Sequence, residues 1–295
     1  MKIEITQERS FTLRAGAKAI HGLIHVSDWE GFTKYQDAKG GAVFTHGGKL
    51  VHASNDLAHD LGFGVVEDGF VLVPQVTLPG GTVVPSFYVA QYAASKGDDG
   101  KVTIDAKRKP WVNINFADSK SACAASGYSM ITETQWLAIA YDASQQASNW
   151  TGGKVGEGSM LQGVRNGGNA LAGDQEPAHT EERRWLVLSN GSRLCDFNGN
   201  VFQWVFDDVQ GNDAGLIAKK ITLESPSMST APYASEKKGM GWRPDGARDW
   251  SSRALFRGGC WGSEDYAGAF SLDYDWPDHG LGSIGFRCTK SSPGL

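Results

Sequence analysis

Cysteines, histidines and a cluster of carboxylates with aromatic rings are the groups in this chain that could do chemistry. The cysteines, Cys123, Cys195, Cys260 and Cys288, form no CxxC pair. Neither a zinc site nor a dithiol oxidoreductase motif is therefore spelled out, and buried small side chains are the reading their type favours. His21 and His25 stand four apart, a spacing that places both on one face of a helix. Zinc would need further nitrogen or sulfur ligands, and none accompanies them. Solvated or capping histidines are expected. The stretch RGGCWGSEDYAGAFSLDYDWPDHGLGSIGFRC, Arg257 to Cys288, is different. Its ends read as strands. Its middle holds Gly262, Ser263, Asp265, Tyr266, Ser271, Asp273, Tyr274, Asp275, Asp278, His279, Gly280, Gly282 and Ser283 with little period. Tyr, Ser, Gly and Asp are the side chains of antibody-like recognition surfaces, because tyrosine supplies contact area at low entropic cost. An acidic loop simply packed on its domain is the alternative.

The elements that must hold such a surface can be read in outline. The chain has 295 residues, room for one large domain or two unequal ones. Its 38 glycines are nearly twice the usual share of about 7% and favour turns over long helices. Ten tryptophans point to broad aromatic packing or aromatic contact surfaces. The net charge of −5 and the lack of a basic run argue against a nucleic-acid partner. No apolar run has signal-peptide or membrane-spanning length, so neither a Sec signal nor membrane insertion is expected. The sequons at Asn149 and Asn190 are then expected to stay unused.

Residues 1–78 read as a small strand-rich unit for assembly or attachment, and 79–295 as the binding domain. In the second unit, NFADSKSACAASG has Asn115 placed to cap, Asp118 in the first turn and Gly127 as a stop. ITETQWLAIAYDASQQA pairs Thr132 with Gln135 as a capping box, with Trp136, Leu137, Ile139, Ala140 and Ala143 on one apolar face. A glycine-rich, aperiodic stretch from about 148 to 190 follows, a length that usually marks function or an unusual fold. Short strands complete an α+β order.

KPWVNINFADSKSACAASG, GYSMITETQWLAIA, DFNGNVFQWV and RGGCW…IGFRC then appear in a telling sequence. Together they resemble the formylglycine-generating-enzyme branch of the C-type lectin fold. Thr132, Glu133 and Trp136 match its RLPTEAEW motif, with Met130 and Ile131 in place of Leu and Pro. Gly199, Asn200, Val201 and Trp204 match GNVWEW. Arg257, Gly258, Gly259, Trp261, Gly285, Phe286, Arg287 and Cys288 match RGGSW…GFRC. The resemblance covers roughly residues 80–290. It implies an α+β, glycine-rich and loop-rich fold in which Cys123 lies against Cys288. By their residue types, the motif positions are scaffolding, and a scaffold does not give a function.

The enzymes of that branch oxidise cysteine with a copper ion held by cysteines between the last two motifs. Gly262 to Gly285 contains none, so the oxidoreductase reading is not favoured. Gln203 stands where the family has a glutamate, a hard donor suited to calcium. A carbohydrate-binding lectin is a further alternative, though DWPDHG matches its calcium motifs poorly. The interval also resembles the diversified segment of variable proteins of diversity-generating retroelements, C-type lectin-fold proteins of phages, archaeal viruses and prokaryotic surfaces. Between Trp261 and Ile284, Glu264 and Trp276 are the residues that adenine mutagenesis of Asn codons could not write.

This resemblance implies a ligand-binding display protein on a virion tail, fibre tip or cell surface, with no catalytic step, cofactor or metal. Residues from 148–180 would support its surface, and a homo-oligomer is possible. Five carboxylates and no Lys or Arg fall between Gly262 and Ser283. An acidic surface with aromatic anchors would suit a basic protein or peptide partner. Truncating Tyr266, Asp273 or Tyr274 to alanine would then shift stability by about 0.5 kcal/mol or less.

Overall fold

The computed structural model describes residues 2–7, 10–15, 18–29, 32–37, 42–46, 49–53 and 69–291. Strands β1 (Lys2–Gln7), β2 (Ser10–Ala15), β3 (Lys18–Trp29), β4 (Phe32–Gln36), β5 (Ala42–His46) and β6 (Lys49–Ala53) form one antiparallel sheet in chain order. β3 carries both His21 and His25, so this pair stands on a strand and not on a helix. Ile20, Ile24 and Val26 favour the extended chain. Gly22, at φ 72°, takes the left-handed turn of a bulge opposite Phe11–Leu13. His25 Nε2 lies 2.8 Å from the Asp28 carboxylate.

β7 (Phe70–Val73), the hairpin β8 (Val76–Thr77) and β9 (Val83–Val84), and β10 (Phe87–Ala90) come next. β7 pairs antiparallel with β10, and Val71 and Val73 are fully buried. The sequence places this strand before the expected boundary at 78, yet it pairs with β10, which lies beyond that boundary. A short, wholly apolar run carries no periodicity to say which unit it joins.

After the hairpin β11 (Ser95–Lys96) and β12 (Val102–Thr103), both expected helices form. Helix α1 (Phe116–Ala125) starts with the Asn115 side chain accepting from the Asp118 N–H at 2.8 Å, and Gly127, at φ 79°, follows its last turn. β13 (Ser129–Met130) leads to α2 (Glu133–Ser144), which opens with the capping box of Thr132 and Gln135. Next come the hairpin β14 (Trp185–Val187) and β15 (Arg193–Cys195), β16 (Phe202–Val205) and the single turn α3 (Pro226–Ser229). β17 (Ala254–Arg257), β18 (Leu272–Asp275), β19 (Ile284–Phe286) and β20 (Cys288–Ser291) end the domain. Two four-stranded sheets result, ordered β13-β20-β10-β7 and β18-β17-β16-β19. β16 and β19 are parallel, and the other pairs are antiparallel.

The motif residues fill the core between these elements. Trp136 stacks on Phe197 with ring centres 4.0 Å apart, and its N–H donates to Ala269 O at 2.8 Å. Trp204 donates to Ile114 O at 3.1 Å beside Phe116 and Phe256. Both rings are fully buried with their polar atom satisfied, as large aromatics require. Arg257 forms a two-pronged ion pair with Glu133, its Nε 2.9 Å from Oε2, and both side chains are fully buried. Arg287 is also buried. It donates to Gln203 Oε1 and to the carbonyls of Ala90, Cys195 and Asp196 at 2.7–3.0 Å. Burial pushes its pKa down to about 10. Cys123 of α1 and Cys288 of β20 meet with Sγ atoms 2.9 Å apart, as the motif alignment implies.

Candidate recognition surface

β17 delivers the chain to Gly258 and Gly259, at φ 96° and 87°. A Cβ at Gly258 would stand 2.9 Å from Phe197 O, and one at Gly259 2.5 Å from Ala267 Cα. Only glycine makes this turn, and it leads the chain into the loop Cys260–Tyr266. The loop is tied by its own bonds: Cys260 N–H to Ser263 Oγ at 2.8 Å and Ser263 N–H to Cys260 O at 3.0 Å. Gly262, Glu264, Asp265 and Tyr266 are exposed, Tyr266 to 56%. The long glycine-rich stretch supports the loop through Arg165, whose carbonyl accepts from Glu264 N–H at 2.9 Å, and Gly167, whose N–H donates to Trp261 O at 2.6 Å.

The chain then turns inward. Ala267 to Leu272 are buried, including Ser271 at 2%. Ser271 is therefore not part of a binding surface. Gly268 sits so tightly on Met240 and Gly241 that the whole segment belongs to the packing. The expected aperiodic middle also contains a strand. β18 pairs with β17 at the sheet edge, Leu255 facing Tyr274 and Phe256 facing Asp273. Alternation along it sends Leu272 to the core, while Tyr274, still 37% exposed, packs against Trp250 with tilted rings 4.4 Å apart. Asp273 and Asp275 point to the opposite face.

From Asp275 the chain crosses back over the sheet to β19. Trp276, Asp278, His279, Gly280, Leu281 and Gly282 are exposed along this crossover. It is pinned by Phe116 N–H to Pro277 O (3.1 Å), Asn113 N–H to Leu281 O (3.0 Å) and Phe202 N–H to Ser283 O (2.9 Å). His279 Nδ1 is 2.9 Å from Asp275 Oδ1.

The structure brings the expected residues together in two groups. Gly262, Ser263, Asp265 and Tyr266 lie on one side of the segment Asn200–Phe202, with Gly280, Gly282 and Ser283 on the other. Trp261 N–H reaches Asn200 O at 3.0 Å, and Ser283 O takes the Phe202 N–H. Asp273, Tyr274, Asp275, Asp278 and His279 follow the β18 edge and the crossover. The surface is less uniformly acidic than the segment alone. The Arg165 guanidinium lies 3.9 Å from Asp265, and the Arg253 guanidinium lies 3.1 Å from the centre of the Trp276 ring. Trp276 thus already carries a cation from its own chain. Arg165, Trp250 and Arg253 lie outside the quoted stretch, and no spacing in the sequence ties them to it.

Asp273 is half-buried, and the loss of solvent, followed by the nearby Asp275 charge, pushes its pKa up to about 6 despite a hydrogen bond from Tyr274 N–H. The folded chain then binds more protons here than the unfolded chain between pH ~4 and ~6, so this group's contribution falls as pH rises through that window. Asn in its place keeps the acceptor for Tyr274 N–H and removes the charge. Asp273→Asn should raise stability at pH 7 by up to about 3 kcal/mol, from a shift of about two units at ~1.4 kcal/mol each. The gain should vanish near pH 4. Urea midpoints of both proteins across this range test it, and a pH-independent difference would contradict the assignment.

Among the described residues no three His, Cys, Asp or Glu side chains converge as metal ligands. The donors at the family's metal positions do not fit a metal either. Cys260 brings one nearly buried thiol, whose Sγ accepts from Ser263 Oγ at 3.3 Å, whereas paired soft ligands hold copper. Gln203 is committed to Arg287 through Oε1 and to Asp196 O through Nε2. Among the described residues no helix is long and apolar enough to cross a membrane.

Comparison with solved structures finds the Major Tropism Determinant U1 Variant at 14% identity and TM-score 0.42, covering 98% of this chain and 82% of that one. Treponema denticola variable protein 1 is similar at 13% identity and TM-score 0.39, covering 76% and 95%. PvdO from Pseudomonas aeruginosa is similar at 15% identity and TM-score 0.36, covering 76% and 94%. Comparison with curated proteins gives no match. The model of the Sulfatase-modifying factor enzyme 1-like domain matches residues 14–292. With its α+β, loop-rich C-type lectin-type fold, the chain belongs to the family of sulfatase-modifying factor enzyme 1-like domains.

Proposed function

We propose that this protein is a ligand-binding display protein of the kind diversified by retroelements, carried on a virion tail, a fibre tip or a cell surface, and that it is not an enzyme. One observation carries the reading. Arg257, Gly258, Gly259, Phe286 and Arg287 are buried and hydrogen-bonded or closely packed, while most of the side chains of Gly262–Tyr266 and Asp273–Ser283 between them are exposed or half-buried. Change in the middle would alter the surface and leave the frame intact. The surface mixes Tyr266, Tyr274 and Trp276 with carboxylates, and its ligand is a protein or peptide on a host or partner surface. The N-terminal sheet would serve assembly or attachment.

The coding DNA tests the origin. A near-copy of the Arg257–Cys288 stretch beside a reverse-transcriptase gene is expected. Panning the purified protein against host-surface fractions at low and high salt tests the binding. Capture of a protein that weakens with salt is expected, and salt-insensitive capture of an acidic polysaccharide would refute it.

The two exposed tyrosines should differ in stability. Tyr266→Ala should cost about 0.5 kcal/mol or less, as at most surface positions. Tyr274→Ala should cost roughly 1 kcal/mol more, because it also removes the ring contact with Trp250. Denaturant midpoints for both variants check this, and equal costs would mean that the ring contact contributes nothing.

A further inference from the structure

A groove of about 410 Å³ opens beside the crossover that follows β18. One wall is the start of α1, with Phe116 and Ala117. The second is Ala214–Leu216, and the third is Pro277–Asp278. The walls are tied to one another. Phe116 N–H donates to Pro277 O at 3.1 Å, and Lys120 Nζ to Ala214 O at 3.3 Å. Its apolar lining is the buried Phe116, the half-buried Leu216 and Pro277, and the methyl groups of Ala117 and Ala214; of the polar residues beside them, Asn115 accepts from Asp118 N–H and Ser121 donates to Ala117 O. Its charges are unequal. The Lys120 ammonium is engaged with Ala214 O and lies 5.1 Å from the centre of the Phe206 ring. Asp278 stands exposed at the mouth with no cation partner among the described residues. Trp276 and Leu281, 48% and 42% exposed, flank it along the chain and extend the apolar surface outward.

We propose that this groove is the anchor pocket of the recognition surface: it takes a leucine or aromatic side chain of a protein ligand, and Asp278 pairs with a lysine or arginine beside that residue. The proposal rests on the display-protein reading. Binding energy in protein interfaces concentrates where a large side chain fills a desolvated pocket, and this volume, within the range of ligand pockets, has room for one such side chain. A charge at the rim then adds selectivity and speed of encounter. Two of the three walls lie outside Arg257–Cys288. They would supply an affinity that persists while the side chains of Gly262–Ser283 change, and those side chains would set which partner is held.

The test is to pan a random peptide display library against the full chain. Selected peptides should carry Leu, Phe or Trp next to Lys or Arg. Ala214 is exposed, so Ala214→Trp should fill the groove without disturbing the fold, which an unchanged melting curve verifies, and lower peptide affinity at least about tenfold, the equivalent of ~1.4 kcal/mol. Asp278→Asn should weaken the same peptides several-fold at low salt and little at high salt. A selection without that residue pattern, or undiminished binding to Ala214→Trp, overturns the anchor. Binding that survives Ala214→Trp but is lost in Tyr266→Ala refutes the groove and leaves the display reading standing. Binding indifferent to both variants refutes both.

Discussion

Replacing Arg257 by methionine should lower stability by about 3–5 kcal/mol, because it leaves the Glu133 carboxylate buried without its cation. Glu133→Gln should cost a similar amount, since the amide keeps one acceptor for Arg257 but removes the charge that balances the buried guanidinium. The double variant should recover part of the loss, because two neutral side chains of similar volume demand no counter-charge. That coupling is the signature of the pair. The neighbouring Asp207 reports the same field: its pKa is raised by burial and then by the Glu133 charge. Neutralising Glu133 should let Asp207 titrate lower. An exposed pair gives the control, and removing Asp98 from Arg108 should leave stability essentially unchanged. Denaturant titration of the single and double variants measures all of these. Single losses under 1 kcal/mol, adding without coupling, would show that the ion pair does not hold α2 to β17.

Much of this frame could be read from local signals. Asn115, Thr132 and Gln135 announce helix starts through short-range hydrogen bonds, and α1 and α2 begin where those residues stand. The double glycine after Arg257 marks a turn that a Cβ would block. Long-range pairing left weaker traces. Phe70–Val73 is a plain apolar run, and nothing in it says that its partner is Phe87–Ala90. Ser271 resembles its exposed neighbours in type, yet the packing of Gly268 on Met240 and Gly241 draws it inside. Tyr274 could be named as a contact residue. Trp250, which packs against its ring, and Arg253, which lies over Trp276, could not, because they are brought in by the β17–β18 pairing. The surface was legible where its chemistry lies in one stretch, and illegible where the tertiary fold recruits residues to it.

Oxidation of Cys123 and Cys288 to a disulfide should raise stability by up to about 5 kcal/mol. The two Sγ atoms are already 2.9 Å apart, so little of the fold has to move. The bond would close a loop of some 165 residues, and the entropy removed from the unfolded chain grows with the logarithm of that length. It would fasten β20, the middle of one sheet between β13 and β10, to α1. Formation should be slow at neutral pH. Burial, and then contact with Cys123, raises the Cys288 pKa well above that of a free thiol, and the thiolate is the form that reacts. Prolonged treatment with oxidised glutathione should therefore shift the melting temperature upward, and dithiothreitol should reverse the shift. Cys288→Ser should abolish the response, while Cys195→Ser should keep it, since Cys195 is also buried but lies close to Gly173 O and not to a second thiol. A protein on a particle outside a reducing cytoplasm would meet such conditions, and the cross-link would stiffen the frame beneath the surface. Non-reducing peptide mapping that pairs either cysteine with Cys260, or no change in melting on oxidation, would refute the assignment.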